Sequence, residues 1–283
     1  MTVLDHEKQI YEYESTLKKL RTQKEIWAEK EILSLEKKLR SLKKKIYKGL
    51  KPWDRVQICR HPKRPHFMDY VQYIFSEFVE LHGDRLFADD QAMVMGCATL
   101  ENQKYFVIGH EKGKDTEDRL KRNFGMAHPE GYRKALRGME LAARFSIPII
   151  CFIDTPGAYP GLAAEERGQG WAIAQNLFAM ADLEVPIIVV IIGEGCSGGA
   201  LGIGVGDTIG MLEHAYYSVI SPEGCASILW KNPSKQEEAA AKLKLLAEEL
   251  YDFAVIDQII SEPLGGAHHD PEKAYDNVKS FIV

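Results

Sequence analysis

The chain has 283 residues, 45% apolar and 27% charged, which is enough for one large domain or two ordinary ones with a substantial core. With 36 basic residues against 41 acidic, a formal charge of −5 argues against nucleic-acid binding by the chain as a whole. No apolar run of about 18 residues is free of charge, and the opening MTVLDHEKQIYEYE is too acidic for a leader or transit peptide, so a cytoplasmic protein is expected.

Residues 1–50 carry a net charge of +5, which leaves −10 for the rest. Leu35, Leu39, Leu42 and Ile46 form one apolar stripe, and Leu17, Leu20 and Trp27 an earlier one, with no Gly or Pro before Gly49. One or two long amphipathic helices are expected there, forming an arm. The stripe must be covered, by a partner or by the chain's own body, and both remain open. The prolines and charges of residues 51–66 read as a linker, and a globular domain is expected over 67–283.

That domain is expected to open with a helix over 68–81. Two strands, 92–100 and 105–110, should meet at Glu101-Asn102-Gln103, with a long polar loop over 111–128 after them. Then come a helix (129–145), an apolar strand (147–153), a helix (163–180) and a second apolar strand (185–192). Continuous apolar strands alternating with helices predict an α/β fold with a buried, largely parallel sheet. A short Gly-rich helix from Gly198, a strand at 216–220, a helix opened by Ser221-Pro222 and an amphipathic helix over 234–250 complete the expectation.

Two turns carry the chemistry, Asp154-Thr-Pro-Gly-Ala-Tyr-Pro-Gly161 and Gly193-Glu-Gly-Cys-Ser-Gly-Gly-Ala200. Each follows an apolar strand and precedes a helix, so each should border the crevice at the strands' carboxyl ends. Helix-start amides have no intrahelical acceptor, which makes Gly198 and Gly199 candidate oxyanion donors. The glycines at 202, 204 and 206 read as packing positions. Gly193-x-Gly195-x-x-Gly198 with Glu213 fits a dinucleotide fingerprint, but the stretch to Asp207 is too short for its crossover helix. Gly195-x-Ser197-x-Gly199 fits a nucleophile elbow, and Asp252 or Asp257 followed by His268 or His269 gives a triad order, so a serine hydrolase is the rival reading. A scaffold docked through the arm is a third.

Glu165-Glu166 and Glu223 read as charge at helix starts. Lys112, Lys114, Arg119, Lys121 and Arg122 in the long loop either meet phosphate or stay in water. Cys59, Cys97, Cys151, Cys196 and Cys225 lie far apart and read as buried or incidental thiols, and no cluster has metal-ligand spacing, so no metal is expected.

The chain resembles the alpha subunits of the bacterial acetyl-coenzyme A carboxylase carboxyltransferase, in the crotonase-like superfamily. The likeness rests on the helical arm, both Gly-rich turns, Glu80-Leu-His-Gly-Asp-Arg85, Asn123-Phe-Gly-Met-Ala-His-Pro-Glu-Gly-Tyr-Arg-Lys134 and Ser221-Pro-Glu-Gly-Cys-Ala-Ser-Ile-Leu-Trp230. Cys196 departs from the small residue expected there. The resemblance implies repeated ββα units and transfer of the carboxyl group of carboxybiotin to acetyl-CoA, giving malonyl-CoA for fatty acid synthesis. It places Gly198 and Gly199 at the hole for the biotin ureido oxygen. Gly157, Ala158, Tyr159, Pro160, Gly161 and Ser197 then line the biotin pocket, which Gly125 and Met126 close. It further implies a beta subunit that carries the zinc and most of the acetyl-CoA side, two alpha with two beta. A biotin carboxyl carrier protein and a biotin carboxylase complete the implied complex.

Overall fold

The computed structural model describes residues 4–22 and 29–283; Trp27 of the expected stripe lies outside them. Helices α1 (Lys8–Thr22) and α2 (Glu29–Lys48) lie antiparallel, tied by the pairs Glu14–Lys43 and Arg21–Glu36. Ile10, Leu17 and Tyr47 are buried. The base of this pair rests on the chain's own body, where Tyr47 OH donates to Glu7 at 2.8 Å and a His269 ring nitrogen stands 3.3 Å from the same carboxylate. Much of the rest of the arm stays in solvent, Leu33 included.

The segment expected as a linker forms helix α3 (Pro52–Cys59). Pro52 is its first helical residue, where proline loses no hydrogen bond, and Asp54 accepts from the Lys51 amide at 2.8 Å. Val56, Ile58 and Cys59 are buried, so these prolines punctuate a packed element. Helix α4 (Phe67–Ile74) stops short of the expected 81, because Phe75 turns to extended backbone and β1 (Ser76–Glu80) pairs antiparallel with β2 (Met93–Leu100). Sheet pairing overrides the helical spacing of Phe75 and Phe78. Strand β3 (Gln103–His110) returns on β2 through Glu101 and Asn102, both at positive φ, as a two-residue hairpin of matching twist requires.

The loop over 111–128 contains the short helix α5 (Thr116–Lys121). Helix α6 (Pro129–Arg144) and β4 (Ile149–Thr155) follow as expected. The helix expected over 163–180 is two, α7 (Leu162–Glu166) and α8 (Gln169–Met180), broken at Gly168 with φ 79°. Beyond β5 (Ile187–Cys196) come α9 (Ser197–Leu201), β6 (Thr208–Leu212), β7 (Tyr216–Ser218) and α10 (Pro222–Trp230). Ser221 caps α10 by accepting from the Gly224 amide at 3.1 Å. The stretch over 234–250 divides into α11 (Gln236–Leu243) and α12 (Ala247–Asp252), and β8 (Gln258–Ile260) and α13 (Pro271–Ile282) close the fold. Strands β6 and β8 and helix α13 were not anticipated: three to five residues carry too little periodicity, and the polar Gly-rich turn before α13 masks it.

The sheet runs β1-β2-β3-β4-β5-β6-β8 and is parallel from β3 onward. Every residue of β4 is buried, as expected of a strand covered on both faces. Strand β5 changes partner along its length: Ile188 to Ile191 pair with β6, while Glu194 to Cys196 pair with β7. Between β4 and β5 the register slips, Ile153 facing Ile191 but Thr155 facing Gly195, so β5 bulges beside Asp154. No described helix is long and apolar enough to cross a membrane.

A fully buried ion pair fastens the start of the body to its end. Arg64, between α3 and α4, grips Glu262 through two bonds of 2.7 and 2.9 Å, and Glu262 also accepts from the His214 and Ala267 amides. Arg64→Met leaves that carboxylate buried without its counter-charge, and urea unfolding should show a loss of about 3–5 kcal/mol. A loss under about 1 kcal/mol, the range of an exposed pair, would overturn this assignment.

Candidate active site at the paired glycine-rich turns

The two turns leave the sheet side by side, one at the end of β4 and the other at the end of β5. A Cβ built on Gly193 would stand 2.2 Å from Asp154 Oδ1, so only glycine admits that carboxylate, which accepts from the Glu194 amide at 2.9 Å. A Cβ on Gly199 would stand 2.4 Å from Ala158 N and from Gly157 C. The second turn is thus seated backbone to backbone on the first. Gly198 differs, since its built Cβ meets only Ile173, at 3.6 Å, and otherwise faces open space.

Ser197, Gly198 and Gly199 open α9, so their amides lack intrahelical acceptors, and no side chain caps them. Ser197 is exposed at φ 58°. Ser197 and Gly198 border a cleft of about 600 Å³ whose walls include Leu201, Tyr217, Val219, Phe253 and Val255. Gly157 and Ala158 reach this place by packing under Gly199. Tyr159 is fixed nearby: its amide donates to Ala127 O, Gln169 clamps both carbonyls, and its ring stacks on His128 at 4.1 Å. Of the expected site residues only Ser197 and Gly198 line the cleft; the buried Gly199, Gly157, Ala158, Tyr159, Pro160, Gly161, Gly125 and Met126 do not. Gly125, at φ 83°, sits instead behind the turns, against Asp154 O and the Lys112 stem.

Beneath the turns lies a charge network that sequence reasoning missed. Lys112 Nζ is 2.6 Å from Asp154 Oδ1 and 2.6 Å from Glu194 Oε2. Glu194 Oε1 also takes Arg60 Nε at 2.7 Å and Tyr216 OH at 2.6 Å, and Arg60 reaches on to Glu223. Burial alone would raise the Glu194 carboxyl, yet Lys112 and then Arg60 hold it down at about 2. The same balance, with Lys112 and His66 opposing burial, keeps Asp154 well below the ordinary carboxylate range. Lys112 is therefore a buried counter-ion, neither solvated nor a phosphate contact. Its sequence signal was position, two residues past an apolar strand at the carboxyl edge. Lys114, Lys121 and Arg122 pair with Asp69, Glu117 and Asp118, and Arg119 donates to Gly113 O.

The hydrolase reading fails on geometry. No histidine or carboxylate lines the cleft at Ser197; His268 stacks on His61 and His269 meets Glu7, while Asp257 accepts from the Ile209 amide. Nor does a thiol substitute, since burial pushes Cys196 up to about 11. The dinucleotide fingerprint fails too, because Gly193 and Gly195 lie within β5 and α9 is only five residues long.

Residues 3–283 match the family model described as acetyl co-enzyme A carboxylase carboxyltransferase-like. The chain belongs to this family. It is 60% identical over its whole length to the acetyl-coenzyme A carboxylase carboxyl transferase subunit alpha of Protochlamydia amoebophila, covering 90% of that protein. It is 58% identical to the subunit of the same name from Chlamydia caviae, covering 88% of it. In fold it is similar to the beta subunit of P. aeruginosa geranyl-CoA carboxylase (TM-score 0.61, 17% identity, 83% of this chain and 44% of that one). It is likewise similar to transcarboxylase 12S (TM-score 0.60, 16% identity, 77% of this chain and 43% of that one). The crotonase-like architecture expected from the motifs is thereby shown, and the family's enzymes are carboxyltransferases.

The depressed Glu194 carboxyl sets a pH dependence. Its folded value lies below its ordinary 4.5, so its contribution to stability is complete above that pH and is lost as pH falls toward about 2. Thermal melts of Glu194→Gln should therefore decline less steeply than the parent's across this interval; equal slopes would remove Glu194 from the network.

Proposed function

We propose that this chain forms the biotin half of a two-subunit carboxyltransferase, receiving carboxybiotin from a carrier protein and passing the carboxyl group to acetyl-CoA. One observation carries this: the Gly198 amide opens a helix at a cleft lined by no histidine, carboxylate or thiol, with Gly199 buried directly behind it on the first turn. Such a site has a donor for a developing anion and no histidine, acid or thiol to act as nucleophile or base, and Lys244 on its wall is paired with Glu249 at 2.9 Å. Carboxybiotin fits it as substrate, because loss of carbon dioxide leaves an enolate-like charge on the ureido oxygen. That anion takes the acetyl α-proton, and the resulting thioester enolate attacks the carbon dioxide to give malonyl-CoA. Each backbone donor aimed at the oxyanion contributes on the order of 3 kcal/mol.

The remaining assignments follow from that role. Ser197 belongs to the wall that holds biotin, and Gly157 and Ala158 support it from beneath Gly199, while Tyr159, Pro160, Gly161, Gly125 and Met126 do not line this cleft. The open side of the cleft, where Leu201, Val219, Phe253 and Val255 are exposed, is where a beta subunit completes the acetyl-CoA site and brings the zinc. Two alpha with two beta, served by a biotin carboxyl carrier protein and a biotin carboxylase in the cytoplasm, is the assembly this reading implies.

Malonyl-CoA formation should be absent from the isolated chain and appear on adding the beta subunit. In that complex Gly198→Pro, which deletes a donor, should abolish turnover, while Ser197→Ala keeps most of it. Full transfer by the chain alone, or an active Gly198→Pro, overturns the proposal.

A further inference from the structure

The base of the arm gathers three groups that carboxyl transfer does not use. Glu7 precedes α1, and His268 and His269 lie in the turn between β8 and α13. Each offers one ligand atom, and the three atoms lie within 4.8 Å of one another. Bonds of about 2.0–2.2 Å put the donors of a tetrahedral zinc about 3.4 Å apart, so small side-chain rotations bring all three onto one ion. His269 Nε2 and Glu7 Oε1 already stand 3.3 Å apart.

Three independent features favour an ion over a simple hydrogen-bonded cluster. His268 Nδ1 is buried with no hydrogen-bond partner. A cavity of about 250 Å³ adjoins the cluster, bordered also by His61, Tyr47 and Glu14, and leaves room for water as a further ligand. Tyr47 OH donates to Glu7 Oε1 at 2.8 Å, as an outer partner that orients a ligating carboxylate does. Two imidazole nitrogens with one carboxylate oxygen suit zinc and disfavour magnesium or calcium, which take oxygen donors. Sequence spacing offers no sign of this cluster because its members come from distant parts of the chain and meet only in the fold.

We propose that Glu7, His268 and His269 form a zinc site that fastens the base of the N-terminal arm to the C-terminal part of the body. It shares no lining residue with the Gly198 cleft, so its role is structural and independent of the transfer reaction.

The test uses the tag-free full-length chain, stripped with chelator and then equilibrated with zinc alone. Metal content by plasma mass spectrometry should approach one zinc per chain, and zinc should raise the melting temperature. His269→Asn, at a partly exposed residue, and Glu7→Gln should lose both effects while keeping the parent's circular dichroism. Tyr47→Phe should weaken zinc binding about tenfold or more, read by competition with a chromophoric chelator. His82→Asn, at an exposed histidine beside Glu80 and Asp89, should retain the metal. Cobalt in place of zinc should give the visible bands of a low-coordinate nitrogen and oxygen site, absent in His269→Asn. No stoichiometric zinc in the parent, or full zinc in a folded His269→Asn, overturns the site and leaves a hydrogen-bonded clasp.

Discussion

Lys112 gives Asp154 on β4 and Glu194 on β5 a common counter-charge, and the placement of both glycine-rich turns depends on it. Two carboxylates this close in a buried setting cannot both ionise unaided, and each would rise toward neutrality. With the ammonium between them they stay charged and draw the strand ends together. The bulge of β5 beside Asp154 and the missing side chain at Gly193 are what allow that approach. Strand β5 takes β7 as its partner at this level, which brings Tyr216 onto Glu194 and sets Tyr217 and Ser218 at the cleft. Charge, register and glycine thus act on one point, and the Gly199 turn rests on the result.

A site made this way places its rigidity in the backbone. Amide donors need no rotamer to be selected when a substrate arrives, so reorganisation at the moment of reaction is small. The acids and bases beneath the turns are paired, and the cleft above them is mostly apolar, with Lys244 as its charged wall residue, and open on one side. On the proposed function, such a half gains a defined reaction only when another surface closes over it. The exposed Val219, Phe253 and Val255 and the name alpha that its relatives carry agree on that point.

How much could be read from the residues alone depended on range. The parallel strands at β4 and β5 were legible because burial on both faces writes an unbroken apolar run. The two turns were legible because glycines crowd where backbone must meet backbone, as at Gly199. Strands β6 and β8 were hidden by brevity, and the linker expected at 51–66 was misread because proline marks a helix start as readily as a break. The ionic network was invisible for a different reason. Its members, Arg60, Lys112, Asp154, Glu194 and Tyr216, are up to 156 residues apart, and each taken singly looks like ordinary surface charge or core aromatic. The same holds for Glu7 with His269, 262 residues apart.

Those long spans bear on the order in which the chain is made. Tyr47 and Glu7 leave the ribosome early, but their docking partner His269 is translated more than two hundred residues later. At about 5–20 residues per second the arm waits roughly 10–45 s before its seat exists. During that interval its helix pair must hold together by its own stripe and its Glu14–Lys43 and Arg21–Glu36 pairs. The Arg64–Glu262 clasp closes on the same late schedule, so the body is sealed and the arm anchored in nearly one event, once residues 262–269 have emerged.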